Sequence, residues 1–212
     1  EQNVTSAHCP FCDSPVVATG TSKRLLKPQS LLPFKVTRDQ GMTCFRSWVS
    51  SLWFAPGNLK RYAQTESRLS GMYVPYWTYD TKTMTFYRGE RGDDYYVTVG
   101  SGKNRRRERR TRWRSVSGTV WVNFDDVLVI ASNSLPREYA EKLEPWDLKS
   151  LETYNDDYLA GFRAESYQLD LQQGFVRAKE IMADPIRKAI CRDIGGDHQR
   201  IHSSHTQYDN IT

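Results

Sequence analysis

The chain has 212 residues, 26% of them charged and 12% aromatic, with 30 Lys and Arg against 25 Asp and Glu, a net charge of +5 and a pI near 9.0. Twelve Tyr and six Trp exclude global disorder, and the composition excludes collagen-like, coiled-coil and disulfide-scaffold classes. No apolar run approaches the roughly 18 residues of a membrane span, and no secretory signal opens the sequence.

Taken in chain order, residues 1–15 are a short polar lead containing His8-Cys9-Pro10-Phe11-Cys12. A turn at 19–22 and an extended, proline-punctuated stretch through Pro28 and Pro33 follow. A helix is predicted from the N-cap Thr37, with Met42, Phe45, Val49, Leu52 and Trp53 on one face and Pro56-Gly57 as its end. A second, more polar helix is expected over 58–67. Residues 71–132 read as β-structure: aromatic and β-branched segments at 72–79, 83–87, 95–99, 110–122 and 127–131, separated by Gly89, Gly92, Gly100 and Gly102, predict an antiparallel meander. Helices are expected again between 136 and 194. In the longer one, Leu171, Phe175, Ala178, Met182, Ile186 and Ala189 form an apolar stripe, Pro185 should kink or split it, and Gly195-Gly196 end it. Residues 197–212 read as a polar tail with a final strand, and there is no internal repeat. The expected fold class is α+β, a helix-flanked antiparallel sheet domain over 21–212 with an N-terminal partial zinc ribbon over 1–20. The sequence opens at Glu1 and stops at Asn210-Ile211-Thr212 in what reads as mid-strand. A longer parent protein is therefore expected, with a zinc half-site or membrane segment outside this chain.

Charge is concentrated in one segment. Lys103, Arg105, Arg106, Arg107, Arg109, Arg110, Arg112 and Arg114 stand against the single acid Glu108, so this window carries +7 and the remainder −2. Such a block attracts phosphates, of nucleic acid or of anionic lipid headgroups. Three readings are open: a phosphate-reading ribbon with Trp113 or Trp121 for stacking, a headgroup-binding arm, or a solvated hairpin whose arginines pair with Glu90, Asp93 and Asp94. Seven arginines to one lysine favour bidentate pairing over generic charge.

Cys9 and Cys12 have the spacing of a zinc knuckle, in which two thiolates sit on a tight turn and supply half of a tetrahedral site. A thioredoxin-type redox pair and inert thiols are the alternatives. Cys44 and Cys191 fall among apolar residues on predicted helices, where cysteine packs. His198, His202 and His205 cluster behind Asp197 and read as an exposed polar tail or as a second metal site. In an extended chain, His198 and His202 share a face and His205 takes the other. No nucleotide-binding glycine loop with its lysine, no H-E-x-x-H and no G-x-S-x-G occurs, and no nucleophile–base set can be nominated.

Several segments together resemble a bacterial family described as TFIIB-type zinc-ribbon-containing, also labelled primosomal protein N′ or superfamily II helicase. They are Cys9-Pro-Phe-Cys12, Lys27-Pro28-Gln29 with Leu32-Pro33-Phe34, Leu52-Trp53-Phe54-Ala55-Pro56, Tyr73-Val74-Pro75-Tyr76-Trp77, Gly89-Glu90-Arg91-Gly92-Asp93, Val116-Ser117-Gly118, Phe124-Asp125-Asp126-Val127 and Ile194-Gly195-Gly196-Asp197. The resemblance implies zinc as cofactor, with Cys9 and Cys12 as the second half of the ribbon. It implies a C-terminal hydrophobic anchor outside this chain and a soluble part in the cytoplasm, tethered to the inner membrane, with phage-shock-type membrane-stress factors as partners. The helicase label lacks its nucleotide-binding motif here. The function expected is a non-enzymatic adaptor or scaffold, oligomeric or not, that contacts protein partners or anionic lipid through the sheet domain and basic hairpin. Nucleic-acid binding through residues 103–114 is the alternative.

Overall fold

The computed structural model describes residues 4–8, 15–17, 26–54, 56–57, 59, 70–209 and 211. Cys9, Cys12 and most of the helix expected over 58–67 lie outside the described residues. The chain forms two compact units, each made of two separate stretches: Glu1–Tyr76 with Ile130–Asp170, and Trp77–Val129 with Leu171–Thr212. The fold is α+β, as its sequence predicts.

The first unit carries a small sheet of strands β1 (Val4–His8), β2 (Pro15–Val17), β4 (Met72–Tyr73) and β8 (Arg163–Glu165), in the order β2-β1-β8-β4. β1 is antiparallel to β2 and β8, and β4 is parallel to β8. A second ladder joins β3 (Ser30–Leu31) to β7 (Glu152–Thr153). Helix α1 (Arg38–Ser51) begins where expected. The Thr37 hydroxyl accepts from the Gln40 N–H, and the Gln40 side chain accepts from the Thr37 N–H, a reciprocal capping box. It stops at Ser51, short of Pro56-Gly57, and buries Met42 and Val49. A short helix, α2 (Arg137–Lys142), buries Ala140. Phe34 stacks on Phe162, with Tyr73 edge-on to both. Gly71 is required beneath them, since a Cβ there would lie 2.6 Å from the Phe162 ring. Ser132 and Ser134 both donate to the Glu165 carboxylate, which ties the turn after residue 131 to β8.

The second unit is a three-stranded sheet, order β6-β5-β9, with one helix on it. β5 spans Tyr76–Val99, β6 spans Arg106–Ile130 and β9 spans His198–Asp209. The meander expected over 71–132 is therefore a single long hairpin. Gly89 and Gly92 do not turn the chain. They lie within β5 because neighbours press on it there: a Cβ on Gly92 would meet Thr111, Trp113 and His198 at 2.9–3.1 Å. The turn is made at Gly100 and Gly102, both at positive φ. The first predicted segment is divided, Met72–Tyr73 pairing in the other unit's sheet.

Helix α3 (Leu171–Ile194) buries Gly174, Ala178, Met182, Ile186, Ile190 and Ile194, a stripe of strict fourth residues. It shares Ala178, Met182 and Ile186 with the predicted stripe but replaces Leu171, Phe175 and Ala189. Pro185 does not split it. Proline removes one backbone hydrogen bond, and the packed residues on either side of it, Met182 and Ile186, hold the helix in place. The helix side of β5 is Tyr79, Thr81, Thr83, Thr85 and Tyr87, all buried. The threonine hydroxyls reach the Asp209 carbonyl, the Val122 carbonyl and the Thr206 hydroxyl. Tyr79 donates to the Leu171 carbonyl at one end, and Tyr87 donates to Asp193 at the other. Ten residues of strand and twenty of helix both span about 30 Å, so α3 runs alongside β5 over that length. Gly195 and Gly196, at positive φ, then reverse the chain into β9. The expected polar tail is thus mostly a ladder strand: it pairs with β5 from Lys82↔Asp209 to Gly92↔His198. Between α2 and α3 the chain is not helical throughout but includes β7, β8 and short 3-10 turns.

Candidate phosphate-binding arm

β9 begins opposite Gly92, so β5 and β6 continue past it as a two-stranded arm, closed by residues 100–105. The basic block is one strand of this arm. Its two faces follow from side-chain contacts. One face holds Asp94 and Tyr96 of β5 with Arg107, Arg109, Thr111 and Trp113 of β6. Thr111 donates to Asp94 at 2.7 Å, Arg109 lies 3.5 Å from the same carboxylate, and Arg107 covers the Tyr96 ring at 4.9 Å. The other face holds Asp93 and Tyr95 with Arg110, Arg112 and Arg114. Arg114 lies 3.6 Å from Asp93, and Arg112 covers the Tyr95 ring at 5.2 Å. Arg110 pairs with Glu108, its neighbour two positions back. Both faces of the ribbon are basic.

The arginines divide by partner. Arg109, Arg110 and Arg114 are held by carboxylates; the predicted pairing with Asp94 and Asp93 accounts for Arg109 and Arg114, and Arg110 pairs within the block, with Glu108. Arg105, Arg106, Arg107 and Arg112 have no carboxylate partner among the described residues. Arg107 and Arg112 are supported by tyrosine faces, which orient the guanidinium without neutralising it. Glu90 does not pair with the block; it lies 3.6 Å from Arg200 and from His202.

The arm is rooted at Asp94, whose side chain is only 14% exposed. The Thr111 hydroxyl, then the His198 ring and the Arg109 guanidinium, hold its carboxyl below the usual carboxylate range against the opposing effect of burial. Arg200 lies 3.8 Å over the Trp113 ring, beside the same corner.

The three histidines do not gather at one point. His198 pairs with Asp94 at 3.1 Å and His202 with Glu90 at 3.6 Å, and among the described residues no group of three His, Cys, Asp or Glu is placed to hold a metal. The expected split of faces is also altered. The ladder skips His202, pairing Arg88 with Ser203 and Gly89 with Ile201. This one-residue bulge puts His205, opposite Phe86, on the same face as His198, opposite Gly92. Strict alternation from the sequence has no signal for that extra residue. Of the cysteines expected to pack, Cys191 is half-buried and Cys44 exposed. Among the described residues no helix is long and apolar enough to cross a membrane.

No family model matches the chain, and no solved structure matches it. The chain is similar to "Uncharacterized protein YdjG" of Bacillus subtilis (strain 168), 25% identical over 171 residues that cover 81% of this chain and 49% of the relative. The chain thus spans about half the length of the curated relative it matches.

Proposed function

We propose that this chain is a non-enzymatic adaptor that engages a phosphate-bearing surface through its basic arm, at the cytoplasmic face of the bacterial inner membrane. The observation that supports the reading is the placement of Arg105, Arg106, Arg107 and Arg112 on a two-stranded arm without carboxylate partners among the described residues. Such cations keep their full attraction for an external anion, whereas Arg109, Arg110 and Arg114 spend part of it on local acids. The zinc ribbon built on Cys9 and Cys12 and the membrane-stress partners belong to the same proposal.

The test is co-sedimentation with anionic and with neutral lipid vesicles. A basic side chain near an anionic surface contributes about 1 kcal/mol. Replacing Arg105, Arg106, Arg107 and Arg112 by Ser should weaken binding to anionic vesicles by about a thousandfold. Equal binding to neutral vesicles, or binding unchanged in the variant, would refute the reading.

A second reading is favoured by one specific feature, the presence of arginines on both faces of the ribbon. A flat lipid surface meets one face, while the groove of a duplex presents phosphates on both sides and admits a two-stranded ribbon. On this reading the same variant flattens the salt dependence of duplex binding, with the slope of log affinity against log salt falling by about 3 to 4 for four lost contacts.

A further inference from the structure

The face of the second unit's sheet that points away from α3 carries its own pattern. On β5 this face is Lys82, Met84, Phe86, Arg88 and Glu90, the positions between the buried ones. β9 adds Ser203, His205 and Gln207, opposite Arg88, Phe86 and Met84. The β6 neighbours follow from three contacts: Thr83 reaches the Val122 carbonyl, Gly118 lies against Tyr87, and Gly92 lies against Trp113. Ser117 therefore stands alongside Arg88, Thr119 alongside Phe86 and Trp121 alongside Met84. Trp121 is diagonal to Phe86, a spacing of roughly 7–8 Å in an antiparallel pair.

Part of this face is an open, shallow depression lined by Phe86, Arg88, Ser117, Thr119, Ser203 and His205 among others, with Trp121 outside it. Its chemistry is mixed in a specific way. Phe86 is 45% exposed and Trp121 is 69% exposed, two flat rings on one face. Arg88, exposed between them and the arm, has no ion pair among the described residues. Hydroxyls of Ser117 and Ser203 flank it from either neighbouring strand.

We infer that this face binds single-stranded nucleic acid, with successive bases on Phe86 and Trp121 and a backbone phosphate on Arg88. Aromatic rings on a sheet face with a cation beside them give sequence-tolerant stacking plus backbone attraction. Toward the arm the same face continues with Arg200 and Arg109, paired with Glu90 and Asp94, and then with Arg107, which has no carboxylate partner among the described residues. A free nucleotide would use one ring and leave the second ring and the arm unused. The inference agrees with the nucleic-acid reading of the arm but stands on different residues.

The experiment is fluorescence anisotropy of the full chain with labelled 20-mer oligo-dT and oligo-rU, and with a duplex of the same length. Phe86→Leu, Trp121→Leu and Arg88→Ser should each lower single-strand affinity about tenfold, the aromatic changes without altering the salt slope. The arginine-to-serine arm variant separates the two proposals: it should lower duplex binding and the salt slope while the Phe86 and Trp121 dependence of single-strand binding persists. Quenching of Trp121 fluorescence by the unlabelled strand, absent in Trp121→Leu, gives a readout in the unmodified sheet. Absence of single-strand binding, affinity unchanged in all three variants, or equal affinity for a mononucleotide would overturn the inference.

Discussion

Replacing Tyr87 by Phe isolates one bond that locks α3 to the sheet. Tyr87 is 5% exposed, and its hydroxyl donates to the Asp193 carboxylate at 2.5 Å, in the last turn of the helix. The ring is retained in the variant, so no cavity forms and the change reports the hydroxyl alone. A hydrogen bond to a charged acceptor contributes about 1.5–3 kcal/mol. The carboxylate of Asp193 can regain water, so about 1.5 kcal/mol is expected. Burial, and then the bond to Asp193, push the Tyr87 hydroxyl from 10.0 to about 12. The sign follows. A group raised in the folded state stabilises it fully below its unfolded pKa, so the contribution is complete up to about pH 10 and is lost as the pH rises through about 12. The assay is urea unfolding of wild type, Tyr87→Phe, Asp193→Asn and the double variant at pH 7 and at pH 11. The coupling energy of the cycle should be near 1.5 kcal/mol at pH 7 and smaller at pH 11. No coupling at pH 7, or coupling that grows with pH, refutes the argument.

Met182→Ala removes a side chain that is 0% exposed at the middle of α3 and should cost about 2–5 kcal/mol in urea unfolding; a loss under 1 kcal/mol would show that the helix face is not packed as described. Asp94→Asn weakens the corner that roots the arm. Because the Asp94 carboxyl is held low, wild type should exceed the variant above the usual carboxylate range, and the two should converge as the pH falls through the lowered value. Hydrogen exchange of residues 93–99 should be faster in this variant at pH 7, and unchanged exchange would mean that Asp94 does not hold the arm. The zinc proposal predicts that metal analysis of the full-length protein finds zinc that is lost on Cys9→Ser; zinc unaffected by that change would place the metal elsewhere.

Local chemistry made several elements legible. Thr37 and Gln40 mark the start of α1, because a capping box needs only residues three apart. The spacing of Ala178, Met182 and Ile186 gives α3 and half of its buried face; Gly174, Ile190 and Ile194 complete it. Gly100 and Gly102 mark the hairpin turn, and the count of charges finds the basic strand. Gly89 and Gly92 were misleading because glycine serves two purposes. It can reverse a chain, or it can admit a crowded neighbour within a strand, and only the positions of Thr111, Trp113, His198 and the Arg200 carbonyl distinguish these.

What the sequence determines by itself is therefore what depends on a few adjacent residues: the α+β class, the capped helix, the amphipathic stripe and the charge of residues 103–114. Tertiary structure decided which of those charges are spoken for. Arg109 and Arg114 meet Asp94 and Asp93 only because β5 folds back beside β6, while the same register leaves Arg105, Arg106, Arg107 and Arg112 without acids among the described residues. It also decided the face with Phe86, Arg88 and Trp121. That surface joins residues from three strands, more than a hundred positions apart in the chain, and a single bulge at His202 sets which side chains reach it. Side-chain direction in a strand is fixed by pairing partners, and those partners are not written in the local sequence.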